Sequence, residues 1–174
     1  MMKVPFSILC CVLSCLLCAE EAPQAPEKEK DQKQEEQKGI IGQATVDGMP
    51  IIYKFVNEEP AEAKRKQLPW LTVISWKYDG KDRNGMPPQA ANQRMITLEK
   101  AIEDGVEKVD FCEHAYSRTG NHLKEFAYYI HDRDSFIKQF NEALKDHARY
   151  PIEIKFYKDP EWKDFNELRK KFIK

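Results

Sequence analysis

The chain has 174 residues, with 28 Lys and Arg against 29 Asp and Glu and a formal charge of −1. That balance argues against a nucleic-acid surface, which needs a basic excess. Of the five cysteines, Cys10, Cys11, Cys15 and Cys18 crowd the N-terminus. The body keeps only Cys112, cannot staple itself with an internal disulfide, and must be held by a packed core.

The first residues read as an export leader. Lys3 supplies the positive end, and Val4 to Leu17 form an apolar run too short to span a bilayer. Cleavage after Ala19 is one processing route, although Leu17 is large for the minus-three position. Val12-Leu13-Ser14-Cys15 resembles a bacterial lipobox, which makes Cys15 a lipidation candidate and offers a second route; an uncleaved anchor is the third. Residues 20–39 are almost entirely Glu, Lys, Gln, Pro, Asp and Ala, too polar to offset the entropy of ordering, so they read as a disordered charged tether. The expected localisation is therefore exported: periplasmic, anchored as a lipoprotein, or secreted. The only membrane contact expected is through such an N-terminal lipid.

Residues 40–174 read as one domain. Ala44 to Val46 and Ile51 to Val56 flank Asp47-Gly48, the dipeptide favoured by two-residue hairpin turns of positive φ. After a polar stretch with room for one helical turn, Leu71 to Tyr78 is β-branched and aromatic on both parities, as suits a strand covered on two sides. Asn84-Gly85 and Met86-Pro87-Pro88 lead into a helix with Ala91, Met95, Leu98 and Ile102 on its inner stripe, and Gly105 is its expected stop. Val109 to Tyr116 and Leu123 to His131 are the next strands, joined through Arg118-Thr119-Gly120-Asn121. Asp134 is the expected cap of a helix whose inner face is Phe136, Phe140, Ala143, Leu144 and His147. Ile152, Ile154 and Phe156 alternate with polar residues on a half-buried strand. The last helix opens at Asp159-Pro160-Glu161. There the Asp159 carboxylate is placed to accept from the backbone of Glu161 or Trp162, with Pro160 at the first helical position. Its apolar stripe is Trp162, Phe165, Leu168 and Phe172.

Setting aside the N-terminal hairpin and C-terminal helix, the order is strand, helix, strand, strand, helix, strand. This predicts an α+β fold of the ferredoxin-like, split βαβ kind: an antiparallel sheet with both helices on one face. The hairpin extends the sheet, and the last helix crosses an edge or the open face.

Four segments carry a family likeness: Leu71-Thr72-Val73-Ile74-Ser75-Trp76, Asn84-Gly85-Met86-Pro87, Arg118-Thr119-Gly120-Asn121 running into Phe126-Ala127-Tyr128-Tyr129, and Asp159-Pro160-Glu161-Trp162. Through them the chain resembles the domain-of-unknown-function family six-nine-five, from about Tyr53 to Phe165. The resemblance implies a ferredoxin-like domain somewhat akin to the regulators that inhibit bacterial ribonuclease E. It implies no catalytic residue.

Cys112, Glu113 and His114 are the nearest approach to a reactive cluster. On a regular strand Cys112 and His114 share a face about 7 Å apart, and the neighbouring strand can bring Glu125 or Tyr129 alongside. The bland reading of the thiol is a small buried hydrophobe. His122 and His131 differ in parity, and His147 reads as a helix-end residue. No HExxH, GxSxG, P-loop or GxGxxG string occurs, so no cofactor and no metal is assigned. Trp76, Tyr78, Tyr116, Tyr129 and Tyr157 are candidates for an open sheet face that packs internally or meets a partner. The expected function is a non-catalytic binding or protein-interaction module of the cell envelope, with an unidentified protein partner or a homodimer. The alternative is an enzyme using the Cys112/His114 strand.

Overall fold

The computed structural model of the protein describes residues 39–107 and 110–173. The leader, the tether through residue 38, Cys15, Ala19 and the expected strand start at Val109 lie outside those residues, while Gly39, expected to end the tether, begins the first strand. The described chain is α+β: six strands form one antiparallel sheet, accompanied by four α-helices. The strands are β1 (Gly39–Val46), β2 (Met49–Val56), β3 (Trp70–Lys77), β4 (Cys112–Gly120), β5 (Leu123–Ile130) and β6 (Ile152–Lys158). The helices are α1 (Glu62–Gln67), α2 (Gln89–Gly105), α3 (Arg133–Ala143) and α4 (Lys163–Phe172). Across the sheet the order is β1-β2-β4-β5-β3-β6.

Local chemistry explains most of these elements. Asp47 and Gly48 take φ of 52° and 76°, which closes β1 onto β2 with Val46 opposite Met49. A second two-residue turn joins β4 to β5, but it is Asn121-His122, at φ of 47° and 61°. Arg118 and Thr119, expected in the connection, stay in the ladder opposite Glu125 and Lys124. The His122 ring holds the turn in place, since its Nδ1 accepts from the Gly80 N–H at 3.1 Å.

Helix ends correct two further expectations and refine a third. The cap of α3 is Asp132, whose Oδ1 accepts from the Ser135 N–H at 2.8 Å, while Asp134 sits in the first turn. Gly105 is the last residue of α2, so the helix stops where expected, though without a left-handed turn. A Cβ there would fall 2.5 Å from the Ala143 Cβ, so the glycine lets α2 and α3 approach. The Asp159 carboxylate accepts from the backbone of Lys163 at 2.9 Å and Asp164 at 3.1 Å, two residues further on than expected, and Pro160 precedes the helix instead of beginning it.

The sheet is apolar on both sides. On one side Ile74, Trp76, Phe126, Tyr128 and Ile130 pack with Met95, Leu98 and Ile102 of α2 and with Phe136 and Phe140 of α3. On the other, Phe55, Leu71, Tyr116, Ala127 and Tyr129 pack with Trp162, Phe165 and Leu168, so α4 covers that face. A core built on two faces supplies the burial that a single-thiol domain needs.

Candidate functional site

The regular ladder has one interruption. β2 and β4 pair from Ile51 opposite Gly120 to Phe55 opposite Tyr116 and no further. There β4 is irregular, with a register shift between His114 and Tyr116 across from β5. β2 ends at Val56, and the chain turns away through Pro60 to α1. A cavity of about 380 Å³ opens in the gap, and Cys112, Glu113 and His114 line it from the side of β4. Val56 at the end of β2, Glu58, Pro60 and Ala61 of the connection, Lys64 of α1, Glu107 after α2, and Trp162 and Phe165 at the start of α4 complete its wall. Lys64 pairs with Glu113 across the opening.

Within the cleft the two side chains proposed for nucleophilic chemistry are both chemically subdued. Burial pushes the Cys112 thiol far up, and the carboxylates of Glu107 and Glu113 push it further. Burial holds the His114 imidazole down to about 4. A nucleophilic pair needs the opposite arrangement, a depressed thiol beside a basic ring in hydrogen-bond reach. Among the described residues no hydrogen bond joins Cys112 to His114. Nor does the register bring Glu125 or Tyr129 beside them: Cys112 lies opposite Ile130 and His114 opposite Tyr128. Glu125 instead faces Arg118, and Tyr129 faces Glu113 on the other side of the sheet.

Several polar groups beneath α2 are satisfied by one another. The Tyr128 hydroxyl donates to Glu107 Oε1 at 2.9 Å, and its ring lies against His114 with centroids 5.2 Å apart. Buried Lys124 donates to Ser117 Oγ at 3.3 Å and pairs with Glu99 at 3.4 Å. Burial and nearby carboxylates raise Glu107 above the usual range, the Tyr128 hydrogen bond opposing them. Among the described residues no group of three His, Cys, Asp or Glu side chains has the geometry to hold a metal ion.

The aromatic candidates divide between the two faces. Trp76 is buried and Tyr78 half-buried in the cluster under α2 and α3. Tyr116 and Tyr129 lie under α4, where their hydroxyls donate to Asp164 at 2.8 Å and to Asp159 at 2.6 Å. Tyr157, on edge strand β6, remains 49% exposed. Among the other histidines, His147 Nδ1 lies 2.9 Å from the Tyr150 hydroxyl, and His131 stands beside Asp132 at a solvent-facing helix start.

Residues 42–168 match the model of a family described as Family of unknown function (DUF695). The chain belongs to that family. No curated protein and no solved structure matches it. In this DUF695 domain the sequence points to Cys112, Glu113 and His114 as neighbours, but Lys64 and Glu107 join them only through the fold. One sequence signal does lead to Glu107. It ends a run of acidic residues spaced by four, Glu99 and Glu103 on α2 and Glu107 just beyond it.

Proposed function

We propose that the domain acts by binding rather than by catalysis, and that the β2–β4 cleft is where it binds. The observation carrying this reading is that the cleft is roomy and polar while its thiol and imidazole are held in their neutral, unreactive forms. A fragment screen by amide NMR on the full chain tests it. Fragments should shift the Cys112–Ala115 amides, and Cys112→Ala should leave their affinity within about twofold, a surface-scale effect. A turnover activity abolished by Cys112→Ala or His114→Ala would favour the enzyme reading instead.

The topology supports the finer fold assignment. We read the order β4-β5-β3-β6, with α2 and α3 sharing one core cluster, as a split βαβ, ferredoxin-like unit to which the β1–β2 hairpin adds two strands. We read the address as exported from the leader alone, with a protein partner at the envelope. Mass measurement of the mature N-terminus tests that: a diacylglyceryl mass on Cys15 supports anchoring, a start after Ala19 supports secretion, and an intact leader overturns processing.

Self-association is the second reading, favoured by edge strand β1. Its eight residues carry no charge and no proline, and Ile41 is 75% exposed. The opposite edge, β6, is guarded by Glu153, Lys155 and Lys158. Sedimentation should then detect a dimer that Ile41→Lys dissociates; a monomer at all concentrations removes this reading.

A further inference from the structure

We propose that residues 57–67 form a gate over the β2–β4 cleft, latched shut by the Lys64–Glu113 ion pair. This rests on the binding reading above and names how entry to that same site is regulated. The segment hangs between two fixed points. At one end Phe55 is buried and paired opposite Tyr116; at the other Leu68 is buried, and its carbonyl accepts from the Trp162 indole at 3.1 Å. Between them, α1 fully buries none of its six residues. An element with so little apolar burial belongs to the low-stability end of a fold, where local opening comes first. The same segment walls the cavity through Pro60, Ala61 and Lys64, while Cys112 lines it from β4. Swinging the segment about its buried ends therefore opens the cavity and leaves the sheet intact.

The latch crosses from gate to sheet, with Lys64 on α1 and Glu113 on β4. Both side chains are partly exposed, at 44% and 35%. A pair this wet is weak and screened by salt, which suits a latch that must release. A second tie holds the gate to α4: Glu59 accepts from Arg65 at 2.7 Å and stands 3.6 Å from Arg169. Lys66, by contrast, pairs within α1, with Glu62 at 2.7 Å, and supplies a control. Opening separates Lys64 from Glu113 and uncovers Cys112, which is only 4% exposed with the gate shut.

The experiment follows iodoacetamide labelling of Cys112 in the native full chain, at low and high sodium chloride, by mass spectrometry of its peptide. Lys64→Glu, which sets two carboxylates face to face, should label about fivefold faster than wild type at low salt. It should do so although loss of the Lys64 cation disfavours the thiolate. Adding Glu113→Lys should restore the wild-type rate, and Lys66→Gln should leave it unchanged. Salt should accelerate wild type by screening an attraction, and slow Lys64→Glu by screening a repulsion. A wild-type rate in Lys64→Glu, no recovery in the charge swap, or one sign of salt dependence in both chains overturns the proposal. So does an acceleration matched by an equal loss of global stability in urea, which is unfolding rather than gating. If fragments seat in the cleft while labelling ignores Lys64, the gate falls and the binding reading stands. If the latch responds as described and no fragment seats there, the gate stands as a motion and the binding reading falls.

Discussion

Tyr129 and Trp162 stack face to face, their ring centroids 3.8 Å apart and their planes 6° from parallel. The pair joins β5 to the start of α4, and both ends are anchored: Trp162 Nε1 donates to the Leu68 carbonyl at 3.1 Å, and the Tyr129 hydroxyl donates to Asp159 at 2.6 Å. Trp162 sits in the left-handed region, φ 53°, a conformation that costs a bulky residue about 1–2 kcal/mol. The stack and the indole hydrogen bond offset that cost and fix where α4 begins.

Trp162→Ala should therefore destabilise the domain by about 3–5 kcal/mol, the range for loss of a large buried aromatic. Tyr129→Phe keeps the ring but removes the donor to Asp159, and should cost about 1–2 kcal/mol. Urea denaturation measures both. A cost for Trp162→Ala no larger than that for Tyr129→Phe would contradict the central role given to the stack.

Gly105→Ala tests the contact between α2 and α3. Helix propensity alone favours alanine by about 1 kcal/mol. Here its Cβ meets the Ala143 Cβ at 2.5 Å, and overpacking of that kind costs about 1–3 kcal/mol. The variant should be less stable than wild type by thermal denaturation, and adding Ala143→Gly should restore part of the loss. A stabilised single variant would mean that the helices can separate freely.

His114 predicts an acid-side loss of stability. Burial holds it at about 4 in the folded chain against an ordinary value of 6.5, so between those values the unfolded chain binds more protons there. Its contribution is complete above 6.5 and is lost as pH falls toward 4, with a magnitude on the order of 3 kcal/mol. Glu107, raised mainly by burial, works in the opposite sense, favouring the folded state less as pH rises through its range. Denaturant titrations at neutral pH and midway between the two His114 values should show a smaller loss for His114→Gln than for wild type. Equal losses would assign the acid sensitivity to other groups.

Cys112 should resist thiol reagents in the native state, because it is buried and its thiol is pushed up by burial and by the carboxylates around the cleft. Mass spectrometry of the peptide containing Cys112 separates its labelling from that of the cysteines near the N-terminus. Its labelling rate should rise only in the denaturant range where the domain unfolds. Rapid native labelling would show that the cleft admits reagents to a reactive thiolate.

Elements whose cause is local were legible in the amino-acid order. Asp47-Gly48 announces its hairpin because both residues tolerate positive φ, and Met95, Leu98 and Ile102 announce a helix because a period near four puts them on one stripe. Ile152, Ile154 and Phe156 alternate because β6 is an edge strand with one face inward. Residue types alone also show that a near-neutral body with one thiol must rely on burial. Only the tertiary structure decided which residues face each other. Simple alternation puts Cys112, His114 and Tyr116 on one side, but the irregularity between His114 and Tyr116 sends Tyr116 under α4 and leaves the other two beneath α2. The cleft is likewise invisible to local periodicity, since Lys64, Glu107 and Glu113 meet there across long stretches of chain. Spacing along the chain reports the forces between near neighbours; pairing register and the point where one strand leaves another depend on contacts that exist only after collapse.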